Sequence, residues 1–168
     1  MSYESIADRI RELHHLAWPV ADVERAEQFY TQVLGAKVTR RRTDPELAQT
    51  DPRRATHISI QLGQAPRIDL FPQEQPVGAE ELPHPHVAFD VPTEEFLACA
   101  RLLSEHGVGH SGPVRQGPPG SASIYFDDPD GNHLEIVCHD YPDDAPITLG
   151  PPDRERMRYE WPRRSMEV

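Results

Sequence analysis

The chain has 168 residues and a mass of 19.0 kDa, enough for one compact domain or two small modules sharing a core. Its 28 acidic residues outnumber 17 Lys and Arg, giving a formal charge of −11, which opposes general binding to nucleic acid or to an anionic membrane. No apolar run approaches the roughly 20 residues that span a bilayer, and the charged opening MSYESIADRIRELHH lacks a signal segment, so a cytoplasmic protein is expected. Two cysteines, Cys99 and Cys138, are too few for a disulfide scaffold and read as small buried residues.

Residues 1–11 read as an N-terminal extension carrying a short helix, with Ile6, Ile10 and Leu13 on one face. A first module is expected over 12–71. LHHLAWPV alternates: Leu16, Trp18 and Val20 share one parity, and His15, Ala17 and Pro19 the other. Asp22 is placed to cap a helix whose apolar face is Val23, Ala26, Phe29, Tyr30, Val33 and Leu34, and Gly35 suits its left-handed stop. A short strand at 36–40 and an Arg-, Asp- and Pro-rich loop at 41–54 follow. ATHISIQLG and RIDLF alternate again, with His57, Ser59 and Gln61, then Arg67, Asp69 and Phe71, opposed to the aliphatic residues.

After a Pro/Glu-rich linker at 72–84 the order repeats over 85–140. HVAFDV is a strand. Thr93 is placed to cap a helix bearing Phe96, Leu97, Ala100 and Leu103, with Gly107 as its stop. Val108–Arg115 is a weaker strand, SASIYFDD and HLEIVC are strong ones, and DDPDGN reads as a type I turn rather than a calcium loop. The halves superpose by arithmetic. His15 and His86 lie 71 positions apart, Gly35 and Gly107 72, and both Ser59–Tyr125 and Asp69–Glu135 66. The spacing drops once, between the helix stop and the third strand, where the second half has a shorter loop. The fold expected is α+β, two tandem βαβββ modules, since neither could bury its sheet alone.

The parity opposite the apolar set carries His15, His57, Asp69, His86, Tyr125 and Glu135. If the sheets curl together, this face lines a cavity rather than a second core. Imidazole nitrogen with carboxylate oxygen suits a divalent first-row metal, and two His with one carboxylate is the open arrangement of non-haem iron. His14, His84 and His133 read as wrong-parity or loop residues at the surface or in support of the site. His106, His110 and His139 carry no signal. The arginines at 40–42, with Arg53 and Arg54, read as a solvated loop or as attraction for an anionic substrate at the cavity mouth.

LHHLAWPVADVERAEQFYTQVLG, HPHVAFDVP and SASIYFDDPDGNHLEIV resemble the vicinal oxygen chelate superfamily, which includes glyoxalase I, extradiol dioxygenases, fosfomycin-resistance enzymes and bleomycin-resistance proteins. The resemblance covers residues 11–140. It implies an incomplete barrel around a metal-lined cavity, with His15, His86 and Glu135 as metal ligands. His15 is preferred to His14 because it stands seven residues before Asp22. Asp69, Tyr125 and His57 are the implied catalytic candidates, Asp69 as base or water-linked ligand and Tyr125 from its position ten residues before Glu135. The metal favoured is Fe2+, with Mn2+, Zn2+, Ni2+ and Co2+ suiting the same donors. A small-molecule substrate and a homodimer are implied too.

The reaction leaned to is Fe(II) ring cleavage. A metal-dependent lyase, isomerase or epimerase is the alternative, and a ligand-sequestering resistance protein the non-catalytic one. The tail, 141–168, is rich in proline and lacks a period. Met157, Tyr159 and Trp161 would anchor it across the barrel or a partner; a disordered tail is the other reading.

Overall fold

The computed structural model describes residues 9, 11–51, 55–73, 86–115, 119–149 and 153–157. The expected side-chain positions at Ile6, Ile10, Arg53, Arg54, His84, Tyr159 and Trp161 lie outside them, as does most of the 72–84 linker. Elements in chain order are β1 (His15–Val20), α1 (Val23–Gln32), β2 (Lys37–Thr43), α2 (Leu47–Thr50), β3 (Thr56–Gln61) and β4 (Arg67–Pro72). Then come β5 (His86–Asp90), α3 (Thr93–Glu105), β6 (His110–Arg115), β7 (Ala122–Asp127), β8 (His133–Cys138), β9 (Thr148–Leu149) and α4 (Arg154–Met157).

The strands form two unclosed sheets, ordered β1-β4-β3-β2 and β5-β8-β7-β6-β9. In each, the first and fourth strands of the module run parallel and the remaining module neighbours antiparallel. This is the expected α+β repeat, and the registers match. Asp69 stands opposite Ala17 and Ser59, while Glu135 stands opposite Ala88 and Tyr125.

Local chemistry explains the elements. The Asp22 carboxylate accepts from the Glu24 and Arg25 amides at 3.0 Å, starting α1. Val23, Ala26, Phe29 and Tyr30 are its buried face. Gly35 (φ +67°) and Gly107 (φ +70°) turn the chain after α1 and α3, in the conformation that penalises a Cβ.

Three local expectations need correction. The cap of α3 is Pro92, without a side-chain bond; its carbonyl receives the Glu95 amide and Thr93 is already helical. Leu97 is 53% exposed, because the buried stripe of α3 runs through Phe96 and Leu103 and leaves its neighbour turned outward. Strand β2 continues through Arg41 and Arg42 to Thr43, beyond the strand expected at 36–40. Pairing with β3 satisfies their backbone while the side chains face solvent, and Arg41 forms an ion pair with Glu27. In the described part of the tail, Met157 does anchor, as one of the two readings expects: β9 joins the edge of β6, and α4 carries a buried Met157 against Val114 and Tyr125.

The apolar faces of both modules feed one core, with Phe29, Ile60 and Leu70 from the first and Phe96, Ile124 and Phe126 from the second. The turn between β7 and β8 clasps the halves. The Tyr30 hydroxyl donates to Asp128 Oδ2 (2.9 Å), Asn132 Nδ2 to the Pro19 carbonyl (2.9 Å), and Arg25 Nη1 to the Pro129 carbonyl (3.2 Å). With the apolar sides committed to each other, the polar faces of the sheets point away from that core.

Candidate metal and substrate site

On the second module, His86 from β5 brings Nε2 to within 2.9 Å of Glu135 Oε2 from β8. Tyr125, opposite Glu135 on β7, hydrogen-bonds to the same carboxylate and to Ser123. Burial pushes the Tyr125 hydroxyl above its ordinary value; the Ser123 bond opposes this and the Glu135 charge adds to it, so it remains a proton donor at neutral pH. Its ring lies edge-on to His86, with centroids 6.1 Å apart.

His133 belongs to this group, contrary to its placement among wrong-parity and loop histidines. It stands in β8 two residues before Glu135, hence on the same face, and is only 3% exposed. Its ring stacks on Tyr125 (5.6 Å, interplanar 6°) and lies 5.8 Å from His86, while Nδ1 is 2.7 Å from Asp127 Oδ1. His133 opens the expected strand HLEIVC, and the period-two rule that places Glu135 puts it on the same face.

The first module places His15 and Asp69 on the positions of His86 and Glu135, and His57 on that of Ser123, but with different partners. Arg67 holds Asp69, with Nη2 donating to Oδ2 at 2.9 Å and Nε 2.9 Å from Oδ1. Burial alone would raise the Asp69 carboxyl. Hydrogen bonds from Ser59 and Arg67, with the charges of Arg67 and His15, outweigh it and hold the group below its ordinary value. The Nδ1 atoms of His14 and His15 are 2.8 Å apart. His57 stacks on Phe71 (4.9 Å, interplanar 22°).

The structure therefore brings His86, Glu135 and Tyr125 together and sets His15, Asp69 and His57 on the other sheet. Among the described residues, no three His, Cys, Asp or Glu side chains are close enough to hold one ion within a single chain. The donor chemistry still fits a divalent first-row cation. An imidazole nitrogen and a carboxylate oxygen meet on an open face, and the His86 side chain is more than a third exposed, leaving room for further ligands. No described helix is long and apolar enough to cross a membrane.

The profile of the Glyoxalase/Bleomycin resistance protein/Dioxygenase superfamily matches residues 12–136. A 2-epi-5-epi-valiolone epimerase from an Actinomyces species is 27% identical over 147 residues, spanning 74% of this chain and 78% of that protein. The metallothiol transferase FosB of Staphylococcus epidermidis is 28% identical over 134 residues, spanning 76% and 81%. The crystal structure of a glyoxalase/dioxygenase from Nostoc punctiforme shares the fold, with a TM-score of 0.62 at 24% identity, covering 83% of this chain and 97% of that one. The repeated modules, the equivalent carboxylates and the profile match agree: the chain belongs to the glyoxalase, bleomycin resistance protein and dioxygenase superfamily.

Proposed function

We propose that the protein is a metal-dependent enzyme acting on a small substrate that presents two adjacent oxygen atoms. The observation that carries this is the 2.9 Å meeting of His86 and Glu135 beside a protonated Tyr125, on an open polar face. His86 and Glu135 would hold the cation, with His15 as third ligand from the first module of a second copy, because His15 stands apart from them within one chain. When bound, the cation would anchor the substrate oxygens and stabilise negative charge developing on them. Tyr125 supplies a hydrogen bond to Glu135 and a proton beside the substrate position.

Within this class, Fe(II)-dependent ring cleavage is the leading reading. A base at Asp69 would first have to leave Arg67 and Ser59, which weakens a proton-transfer role for it. Proton transfer or group transfer at Mn2+, Zn2+, Ni2+ or Co2+ is the second reading, favoured by the relatives named as an epimerase and a metallothiol transferase.

The test mixes His15→Ala with Glu135→Gln protein under conditions of subunit exchange and titrates with Mn2+. Each variant alone should lose tight binding. The mixture should regain up to one site per mixed dimer, since one composite site is then intact. No recovery, with exchange shown by mass labelling, overturns the shared site. Oxygen uptake by the Fe(II)-loaded protein on a panel of catechols tests the leading reaction; a silent panel, with solvent deuterium entering a hydroxy-ketone substrate, moves the assignment to the second.

A further inference from the structure

The profile match ends at residue 136, yet the chain beyond it is fastened to the face that carries the candidate site. Strand β9 pairs with β6 at Val114–Thr148 and Arg115–Leu149. The Asp153 amide donates to Ser111 Oγ at 2.7 Å. Met157 on α4 is 1% exposed and packs with Tyr125 and Val114, a small apolar cluster separate from the main core.

Register fixes which side this is. Ser111 stands opposite Tyr125, and Val114 opposite Ser123, so both share the face from which Tyr125 and Glu135 project. The shift between Ser111 and Val114 is what returns Val114 to that face. His133 stacks on the Tyr125 ring, and Met157 adds an apolar side chain to the same tyrosine, which is left 6% exposed.

We propose that Met157 is a specificity-determining residue: it walls the Tyr125 end of the second module's polar face and limits the bulk of any group lying there while the substrate's oxygens meet His86 and Glu135. The inference rests on the reading of that face as the substrate site. A thioether on an unbranched stem suits the role, because it fills irregular space without competing for the polar groups beside it.

The experiment uses the full-length protein, its Met157→Ala and Met157→Leu variants, and Ser111→Ala, which loosens the segment without altering Met157. Each is loaded with redox-inert Zn2+, and calorimetry compares catechol with 4-tert-butylcatechol. Met157→Ala should improve binding of the bulky probe relative to catechol by about tenfold, the scale of a few added carbon contacts in an apolar pocket. Met157→Leu should keep the wild-type ratio, and Ser111→Ala should move it in the same direction as Met157→Ala. In parallel, nitration of Tyr125 by tetranitromethane, mapped by peptide mass, should accelerate severalfold in Met157→Ala and Ser111→Ala. An unchanged binding ratio overturns the proposal. If neither catechol binds any form, the functional reading fails and nitration alone decides: acceleration upholds the wall over Tyr125, and an unchanged rate overturns it. Ser111→Ala decides the matter should Met157→Ala fail to fold.

Discussion

The two modules set the same frame and fill it differently. His15, Arg67, Asp69 and Ser59 occupy in the first sheet the positions of His86, His133, Glu135 and Tyr125 in the second. In the first, the residue two before the carboxylate is a guanidinium, and it takes the carboxylate for itself. In the second it is an imidazole engaged with Asp127, which leaves Glu135 to His86 and Tyr125. The Asp69 carboxylate is thus neutralised within its own strand, whereas the Glu135 carboxylate meets an imidazole whose side chain is more than a third exposed. The turns differ as well: Leu62–Pro66 joins β3 to β4, whereas Asp128–Asn132 at the equivalent place clasps the other half.

The sharpest way to break the comparison is to neutralise both carboxylates. Glu135→Gln should weaken Mn2+ binding by more than about 100-fold, and Asp69→Asn by less than about 10-fold, measured by calorimetry. Equal losses would make the modules chemically alike.

The next effect lies in the turns. Burial lifts the Asp128 carboxyl from 3.8 to about 6, against hydrogen bonds from Asn132 and Tyr30 that favour its ionised form. The folded chain therefore keeps a proton there that the unfolded chain has already released between those values. Stability should fall as pH rises through that window, by up to about 3 kcal/mol in order of magnitude. Urea titrations from pH 4 to 7 should show this slope, and Asp128→Asn should remove it.

Arg67→Met gives the smallest effect. Asp69 is held below its ordinary value, so its ion pair stabilises the fold above the ordinary carboxylate range and the benefit is lost as pH falls through the lowered value. The variant should be less stable by about 1–2 kcal/mol at pH 7, a figure reduced by the partial exposure of Arg67. Denaturant melts should show the difference shrinking in acid.

Sequence pattern made the repeat legible because alternation and glycine stops are local: Ile58, Ile60 and Leu62 against His57, Ser59 and Gln61 need no tertiary information. The partners of a side chain were less so. Arg67 beside Asp69 was readable as an ion pair, since i and i+2 share a strand face. His133 is legible by the same rule, two residues before Glu135 in HLEIVC, whereas the contact of Met157 with Tyr125 is not, because the proline-rich tail has no period that would place it. That His15 stands apart from His86 and Glu135 depends on how two sheets pack, which parity along a strand does not encode.

The clasp at Asp128 and Asn132 bears on how such a duplicated chain can change over generations. A protein one module long would have to shelter its oily side against an identical copy, by contacts equal in both directions. Here the corresponding positions, Leu62 and Pro66, offer no side-chain carboxylate or amide, so the grip runs one way, from the second half onto Tyr30 and Pro19 of the first. The halves have ceased to be interchangeable: a gene encoding them in reverse order could keep the clasp, whereas one encoding the first half twice would lack it altogether.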